Sequence, residues 1–429
     1  MIIIPFLYFS TLALYVYKKH KTVSVAFLIC VMFAASGFFS ILIDIFHLRS
    51  DDTMNYIITP QASLIYCGFL TLCLSPFIIH PNHKIQICPV RNDAPLKTIA
   101  WISFLWLVVL FIVSWPYLIR NLTLSDVQEM RTSISHGDEQ NYMLFLPTIV
   151  KVPLIYLNMV FSCSWILIFL AFYCLLIQKI SKLYFWLFLL ASLSAVLFGI
   201  LAVDRAKTTY WIISFIVVYY FFKSHITVEN GKMISQIMYF FMILAFLYLA
   251  YVTVGRFGER DYGSISGSQG GIISYLGQNY INFCFFFDNY TPPVIDLSLI
   301  FPFTYKFIFG QEIVNAATIQ DFMTSKTGIS TGVFYTFIGH IIVAAGVLIS
   351  LLYCIFYSFI SERLLRPFRF MTKVTLYRSF IYLALASVLF QGIWVYYYTS
   401  PTLTFSLFFF LFFFKNMESK KRRKVSCQF

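Results

Sequence analysis

Long apolar segments separated by polar gaps recur along the whole chain. A helix needs about 20 mostly apolar residues to cross a hydrocarbon core of roughly 30 Å, and many segments approach that length. The pattern predicts an all-α, polytopic integral membrane protein with about 11 transmembrane helices, in which residues 1–429 form one membrane domain. The predicted spans cover residues 2–17, 23–46, 62–80, 98–118, 154–177, 183–203, 208–222, 233–254, 333–360, 379–397 and 402–414.

Two of the polar gaps are much longer than the others. Residues 119–153 contain a capping pattern that starts at Ser125, and Gly137 offers a stop, so they predict a short helix that carries Arg131. Residues 255–332 begin rich in glycine and continue as apolar pieces broken by prolines. We therefore expect a large extracytoplasmic loop that contains short helices and lies at the membrane interface or returns into the protein.

Composition agrees with the membrane class, and the charges set an orientation. The chain is 60% hydrophobic and only 11% charged, which excludes an ordinary soluble protein. Its net charge of +13 comes mostly from Lys and Arg in alternate gaps and in the basic tail 415–429, whereas most acids lie in the other gaps. The positive-inside rule then predicts an outside N-terminus and a cytoplasmic tail, and this distribution does not predict nucleic-acid binding.

The nine cysteines fall mainly in predicted spans or on the predicted cytoplasmic side. A disulfide framework is therefore not expected. The sequence has no Cys/His spacing typical of a zinc site.

The first part of the large loop, residues 255–271, carries the densest candidate chemistry. It reads GRFGERDYGSISGSQGG, with Arg256 and Arg260 four residues apart and Glu259 and Asp261 beside them. Guanidinium groups bind pyrophosphate oxygens bidentately, and glycines let backbone amides approach an anion. The alternative interpretation is a solvated loop whose arginines face lipid headgroups.

A second basic cluster lies at the outer end of the sixth predicted span, where Asp204 precedes Arg205 and Lys207. One interpretation pairs Asp204 with a neighbouring cation to cap the helices. The other is a second anion-binding point that faces Arg256 and Arg260.

Three residues are the main candidates for a general base: Glu259, Asp261 and His340, with Glu312 and Asp321 as further carboxylates. The ordinary pKa of histidine, about 6.5, suits proton abstraction from a sugar hydroxyl, although a lone helical histidine also fits a packing role. No HExxH, GxSxG or P-loop motif supports a metalloprotease, a hydrolase or a nucleotide-driven pump.

In layout and in two local patches, the chain resembles the bacterial O-antigen and oligosaccharide repeat-unit polymerases, often called Wzy-type proteins. In the first patch ten residues separate Arg256 from Gly267 and Arg260 from Gly271, similar to the Arg-x10-Gly motif of the family's periplasmic loops. The second, TFIGHIIVAAGVLIS at 336–350, is similar to the start of the helix after the large loop. The related O-antigen ligases share the layout and have a histidine motif near the end of the corresponding loop. In the ligases a Gly-Thr-Val lies downstream of that histidine, whereas none follows His340 in this chain.

The resemblance implies metal-independent glycosyl transfer, without a cofactor, at the outer face of the bacterial cytoplasmic (inner) membrane. The substrates would be undecaprenyl-pyrophosphate-linked oligosaccharides that are joined into O-antigen or capsule, and a chain-length regulator is a further partner that it leaves open. Arg256, Arg260, Arg205 and Arg131 would bind pyrophosphate, and Glu259, Asp261 or His340 would act on the hydroxyl. A lipid-linked oligosaccharide flippase, an O-antigen ligase and a non-catalytic component of a polysaccharide machine are the alternatives.

Overall fold

The computed structural model separates into two compact units. The first unit contains Met1–Ile85, Arg260–Thr372 and Ile381–Thr404, and the second contains Gln86–Glu259, Lys373–Phe380 and Phe405–Phe429. The structure describes residues 1–82, 85–123, 148–201, 205–257, 267–301, 304–310, 316–371, 373–394, 396, 398 and 400–422.

Helices make up most of the described residues. In chain order they are α1 (Ile4–His20), α2 (Val25–Ile45), α3 (Pro60–Ile79), α4 (Ala94–Thr123), α5 (Thr148–Phe161), α6 (Ser164–Phe172), α7 (Lys182–Ser192), α8 (Ser194–Leu201), α9 (Arg205–Phe222), α10 (Val228–Phe257), α11 (Gly267–Asn289), α12 (Ala316–Thr327), α13 (Thr336–Leu365), α14 (Pro367–Phe370), α15 (Leu376–Gln391) and α16 (Pro401–Arg422). Short 3-10 helices cover Asp51–Thr53, Lys223–His225 and Leu297–Leu299, and π-helical turns cover Tyr173–Ile177 and Thr304–Ile308. Two short strands, β1 (Gln86–Ile87) and β2 (Lys373–Val374), form a parallel pair.

The helices support the predicted all-α membrane class, and each predicted span overlaps a helix. Within the described ranges, six stretches are long and apolar enough to cross a membrane: Val25–Ile45, Pro60–Ile79, Ala94–Pro116, Lys182–Leu201, Val228–Val254 and Thr336–Phe370. A seventh would be the pair Val152–Phe161 and Ser164–Ile177, which is bent by 62°. The predicted count of eleven crossings therefore stays a prediction. The helices α1 and α15 are shorter, with 17 and 16 residues.

Helix α11 lies in the interval that the sequence assigns to the large loop. It has 23 residues and packs against α2, α3 and α13 in the first unit. The Ser36 hydroxyl donates to Asn279 Oδ1 at 2.5 Å, and the Ser40 hydroxyl donates to the Gly277 carbonyl at 2.5 Å. Such bonds satisfy polar groups that α11 brings into the core. The interval 255–332 thus contains a long core helix besides the shorter α12, and its extracytoplasmic side stays a prediction.

Close approach of α11 to α2 depends on the glycine at position 277. A Cβ there would lie 2.4 Å from the Phe39 carbonyl carbon and 2.6 Å from its oxygen. Gly277→Ala is therefore expected to lower the free energy of unfolding by about 2–4 kcal/mol, measured by thermal unfolding in detergent. Gly68→Ala, on α3, is the matched control because a Cβ there meets no atom within 4 Å. Equal melting temperatures for the two variants would contradict the packing.

The core of the second unit is α6, whose residues Ser164–Phe172 are all buried. A helix that is apolar on every side is stable only when other elements surround it. Here α7 and α9 pack against it, and Trp165 stacks on Phe380 with ring centroids 5.3 Å apart.

Segments between the helices of the second unit are tied together by hydrogen bonds to the backbone. The Gln178 side chain bonds both the N–H and the carbonyl of Val90, at 2.9 and 2.8 Å. The Ile87 N–H donates to His225 Nε2 at 3.2 Å. Burial lowers the pKa of His225, which favours the neutral ring that can accept this bond.

The proposed cytoplasmic tail begins inside a helix. Residues 415–422 continue α16, and the Tyr377 N–H donates to Glu418 there at 2.9 Å. Residues 423–429 lie outside the described ranges.

Candidate functional site

The structure describes two of the predicted site residues in full, Arg205 and His340. Arg256 lies in the last turn of α10, but its side chain is outside the described set. The other four predicted residues, Arg131, Glu259, Arg260 and Asp261, lie outside the described residues. Pyrophosphate binding by residues 255–271 therefore stays a prediction.

Arg205 is the first residue of α9, and it is buried in the second unit with 5% of its surface exposed. Its Nη1 donates to Thr253 Oγ1 of α10 at 3.0 Å. A buried guanidinium group is costly unless partners or a ligand compensate for its lost hydration, so Arg205 is a candidate functional residue. Asp204, its predicted pairing partner, is outside the described residues.

A second cation lies in the same turn of α9. The Lys207 ammonium sits 5.3 Å from the centroid of the Phe198 ring, in cation–π geometry. The first turn of α9 therefore places two positive charges at one end of the helix. Arg205 is buried, and the Lys207 ammonium contacts the face of the Phe198 ring.

Beside this turn is an apolar cavity of about 490 Å³ in the second unit. Leu193 and side chains from α4, α8, α9 and α10 line it, among them Phe111, Leu197, Leu244 and Ala245. Its volume lies within the usual range for small-molecule sites.

Two of the three polar side chains that line the cavity are bonded to other protein groups, whereas the buried Thr208 hydroxyl has no hydrogen-bond partner among the described residues. The Trp211 indole N–H donates to Ser192 Oγ at 2.9 Å, and the Tyr248 hydroxyl donates to the Gly199 carbonyl at 3.1 Å. Because these wall groups are satisfied, the interior presents mainly hydrocarbon, which suits an alkyl or isoprenoid chain.

The cavity and the cations meet along α9 and α10. Thr208 lines the cavity one helical turn after Arg205, and Tyr248 lines it five residues before Thr253 on α10. The arrangement combines a hydrocarbon-lined space with a buried guanidinium group near one end. A lipid with an anionic head group has the matching chemistry.

The backbone of Arg256 follows Thr253 closely in α10. It lies three residues after Thr253 in α10. The sequence predicts that Arg205 and Arg256 form one anion site, and this stays a prediction.

His340 lies in the first unit, in the first half of α13, and only 6% of its surface is exposed. The ring hydrogen-bonds the Leu299 carbonyl and faces the rings of Tyr335 and Tyr396, each with centroids 6.1 Å away. Its Nε2 is buried and has no hydrogen-bond partner among the described residues. This environment fits a packing role. It also fits a general base, because Nε2 would be available to accept a proton.

A break in α13 follows His340 by two turns. Gly346 has φ 85° and ψ 173°, values that glycine adopts readily and that interrupt the helix. The Ala344 carbonyl accepts a bond from the Asp296 N–H at 2.9 Å, and the Pro292 ring lies 3.7 Å from where a Cβ of Gly346 would be. The segment after α11 thus packs beside the half of α13 that carries His340.

Sequence reasoning selected Arg205 but missed Thr253 and the cavity. No motif marks either of them, because the cavity walls come from helices far apart in the chain and read as ordinary span residues. The position of Arg205 at the end of a predicted span was the one available signal, since the apolar pattern does not explain a cation there.

Within the described parts of the chain, no group of three or more His, Cys, Asp or Glu side chains could hold a metal ion. Comparison with protein-family models, with curated proteins and with solved structures returned no match for this chain.

Proposed function

We propose that this chain is a membrane-embedded glycosyltransferase that polymerises undecaprenyl-pyrophosphate-linked oligosaccharide repeat units into a surface glycan, O-antigen or capsule. The observation that carries the proposal is the buried Arg205, bonded to Thr253 beside an apolar cavity of about 490 Å³. The cavity would take part of the isoprenoid chain, and Arg205 would bind the pyrophosphate. The layout and the two patches that resemble Wzy-type polymerases support the same substrate class.

The proposed reaction is a displacement at the anomeric carbon of the donor glycan. A hydroxyl oxygen of the acceptor sugar forms the new C–O bond, and the bond from the anomeric carbon to the pyrophosphate oxygen breaks. The hydroxyl proton passes to a base, for which Glu259, Asp261 and His340 are the candidates. Undecaprenyl pyrophosphate leaves.

Arginine suits the departing group in this scheme. Negative charge grows on the pyrophosphate as the bond breaks, and a fixed guanidinium group in a partly dry site stabilises that charge without reorganising. Tethering both substrates in the plane of the inner membrane supplies proximity.

Transport of the same lipid-linked saccharide is the second candidate function. Arg205 favours it because this cation is buried among helices instead of lying on an exposed surface. A flippase would also bind pyrophosphate, but it would not join repeat units.

A gel of the surface glycan from a strain that lacks this chain tests the proposal. Lipopolysaccharide core with a single repeat unit is the expected result, because export and ligation would continue without polymerisation. Complete absence of repeat units on the core would indicate the flippase. Long lipid-linked polymer that accumulates without reaching the core would indicate a ligase.

A further inference from the structure

A second cleft, separate from the Arg205 cavity, lies in the first unit between the end of α2 and the start of α3. Its volume is about 510 Å³. Its wall contains polar and charged side chains, among them Asp44, His47, Arg49, Asn55 and Tyr56. No predicted site residue belongs to it.

The cleft wall contains an ion pair that several hydrogen bonds hold in place. Arg49 Nη2 donates to Asp44 Oδ1 at 2.6 Å, and its Nη1 donates to the backbone carbonyls of Tyr56 and Thr53. The Arg49 side chain is only 16% exposed, whereas that of Asp44 is 45% exposed. The pair therefore presents a carboxylate with room to accept further hydrogen bonds, held by a guanidinium group that cannot easily move away.

Tyr56 is held in place by a hydrogen bond to α11. Its hydroxyl donates to the Asp288 carboxylate, which also accepts from Thr59 at 2.9 Å. Burial, reinforced by the bond to Asp288, raises the pKa of Tyr56 well above its usual range, so the hydroxyl stays protonated as a donor. The neighbouring side chains of His47 and Asn55 are exposed and add polar groups at the rim.

The chemistry of this wall selects among ligand classes. An alkyl chain would leave the charged groups without hydration, and a phosphate would meet the Asp44 carboxylate beside the one guanidinium group. Vicinal sugar hydroxyls both donate and accept, which matches a paired carboxylate and guanidinium with amide and imidazole groups nearby. The exposed Met54 offers an apolar surface for sugar C–H groups.

We propose that this cleft binds a neutral saccharide, with Asp44 accepting hydrogen bonds from sugar hydroxyls and Arg49 holding the carboxylate in place. Identification of that saccharide as the acceptor repeat unit rests on the proposed polymerase function. Saccharide binding itself does not.

The test measures binding to the full chain in phospholipid nanodiscs. The probe is the free oligosaccharide released by mild acid from the lipid-linked glycan of the source cell, which carries neither lipid nor phosphate. Saturation-transfer NMR and titration calorimetry are expected to show binding by the wild type. Asp44→Asn and Arg49→Gln are each expected to weaken it by about tenfold or more.

A matched control and a milder variant accompany these changes. Lys182→Gln removes a different ion pair, to Glu229 at 3.1 Å, and is expected to leave saccharide affinity unchanged. Asn55→Ala changes an exposed rim residue without disturbing the ion pair, and a loss of about threefold is expected. If the ion-pair variants Asp44→Asn and Arg49→Gln fail to fold, Asn55→Ala still tests the cleft.

Binding of undecaprenyl pyrophosphate, measured in the same nanodiscs, separates this inference from the proposed function. Saccharide binding that is absent in the wild type, or equal in Asn55→Ala, Asp44→Asn and Lys182→Gln, would overturn the cleft assignment even if the lipid binds through Arg205. Cleft-dependent saccharide binding without lipid binding would support the cleft and contradict the lipid site.

Discussion

Arg205→Gln is expected to abolish surface polymer while the protein still inserts at normal levels. Removing one preorganised donor to a developing negative charge costs about 10²–10³ in rate, and here the group is a buried guanidinium that glutamine cannot replace. The measurement is polymer length on a gel, together with turnover of lipid-linked repeat units by the purified protein. Arg256→Ala, one turn from Thr253 on α10, is expected to act in the same direction.

Two further substitutions separate catalysis from folding. Arg205→Lys keeps the charge but loses the planar fork, so we expect partial activity. Thr253→Val keeps Arg205 and removes only its 3.0 Å hydrogen bond, so a loss of about tenfold is expected from a misplaced side chain. Wild-type polymer from Arg205→Gln at normal expression would rule out the anion site.

Ala245→Trp is expected to reduce polymerisation by at least about tenfold by filling the apolar cavity. Ala245 lines the cavity and is only 8% exposed, so a large ring at this position would occupy the space assigned to the isoprenoid chain. Because the lipid would be excluded while the polar end stays intact, the Michaelis constant for lipid-linked substrate should rise. Steady-state kinetics in detergent measure it.

Leu247→Trp is the matched control for the cavity. Leu247 is two residues away on the same helix, α10, and is 59% exposed, so an indole there lies outside the cavity. Unchanged kinetics are expected. Equal losses in both variants would mean that the helix tolerates no bulky residue and that the cavity has no specific role.

Hydrophobic patterning was enough to identify the class and to locate a helix in each predicted span. Every predicted span overlaps a helix, because about 20 apolar residues in a row are stable in lipid only with their backbone groups bonded internally. The break in α13 at Gly346 was not predicted. The sequence around it reads as continuous apolar helix, and the Asp296 N–H that satisfies a freed carbonyl comes from another part of the chain.

The candidate site was predicted in part. A cation at the end of a predicted apolar span can be read from the local sequence, and it pointed to Arg205. The cavity beside Arg205 cannot be predicted from the local sequence. Its walls are mostly ordinary apolar residues whose shared space exists only after α4, α8, α9 and α10 have packed.

The sequence by itself therefore determined that the chain is a helical membrane protein and where the helices of its predicted spans lie. It also identified Arg205 as a candidate functional residue. Tertiary structure decided that α11, with its glycines, asparagines and tyrosines, is a core helix. Its polar groups become tolerable only when α2 supplies partners such as Ser36 and Ser40. It also decided which cations adjoin hydrocarbon space and which polar groups form a cleft, because distances between segments remote in sequence are set by packing.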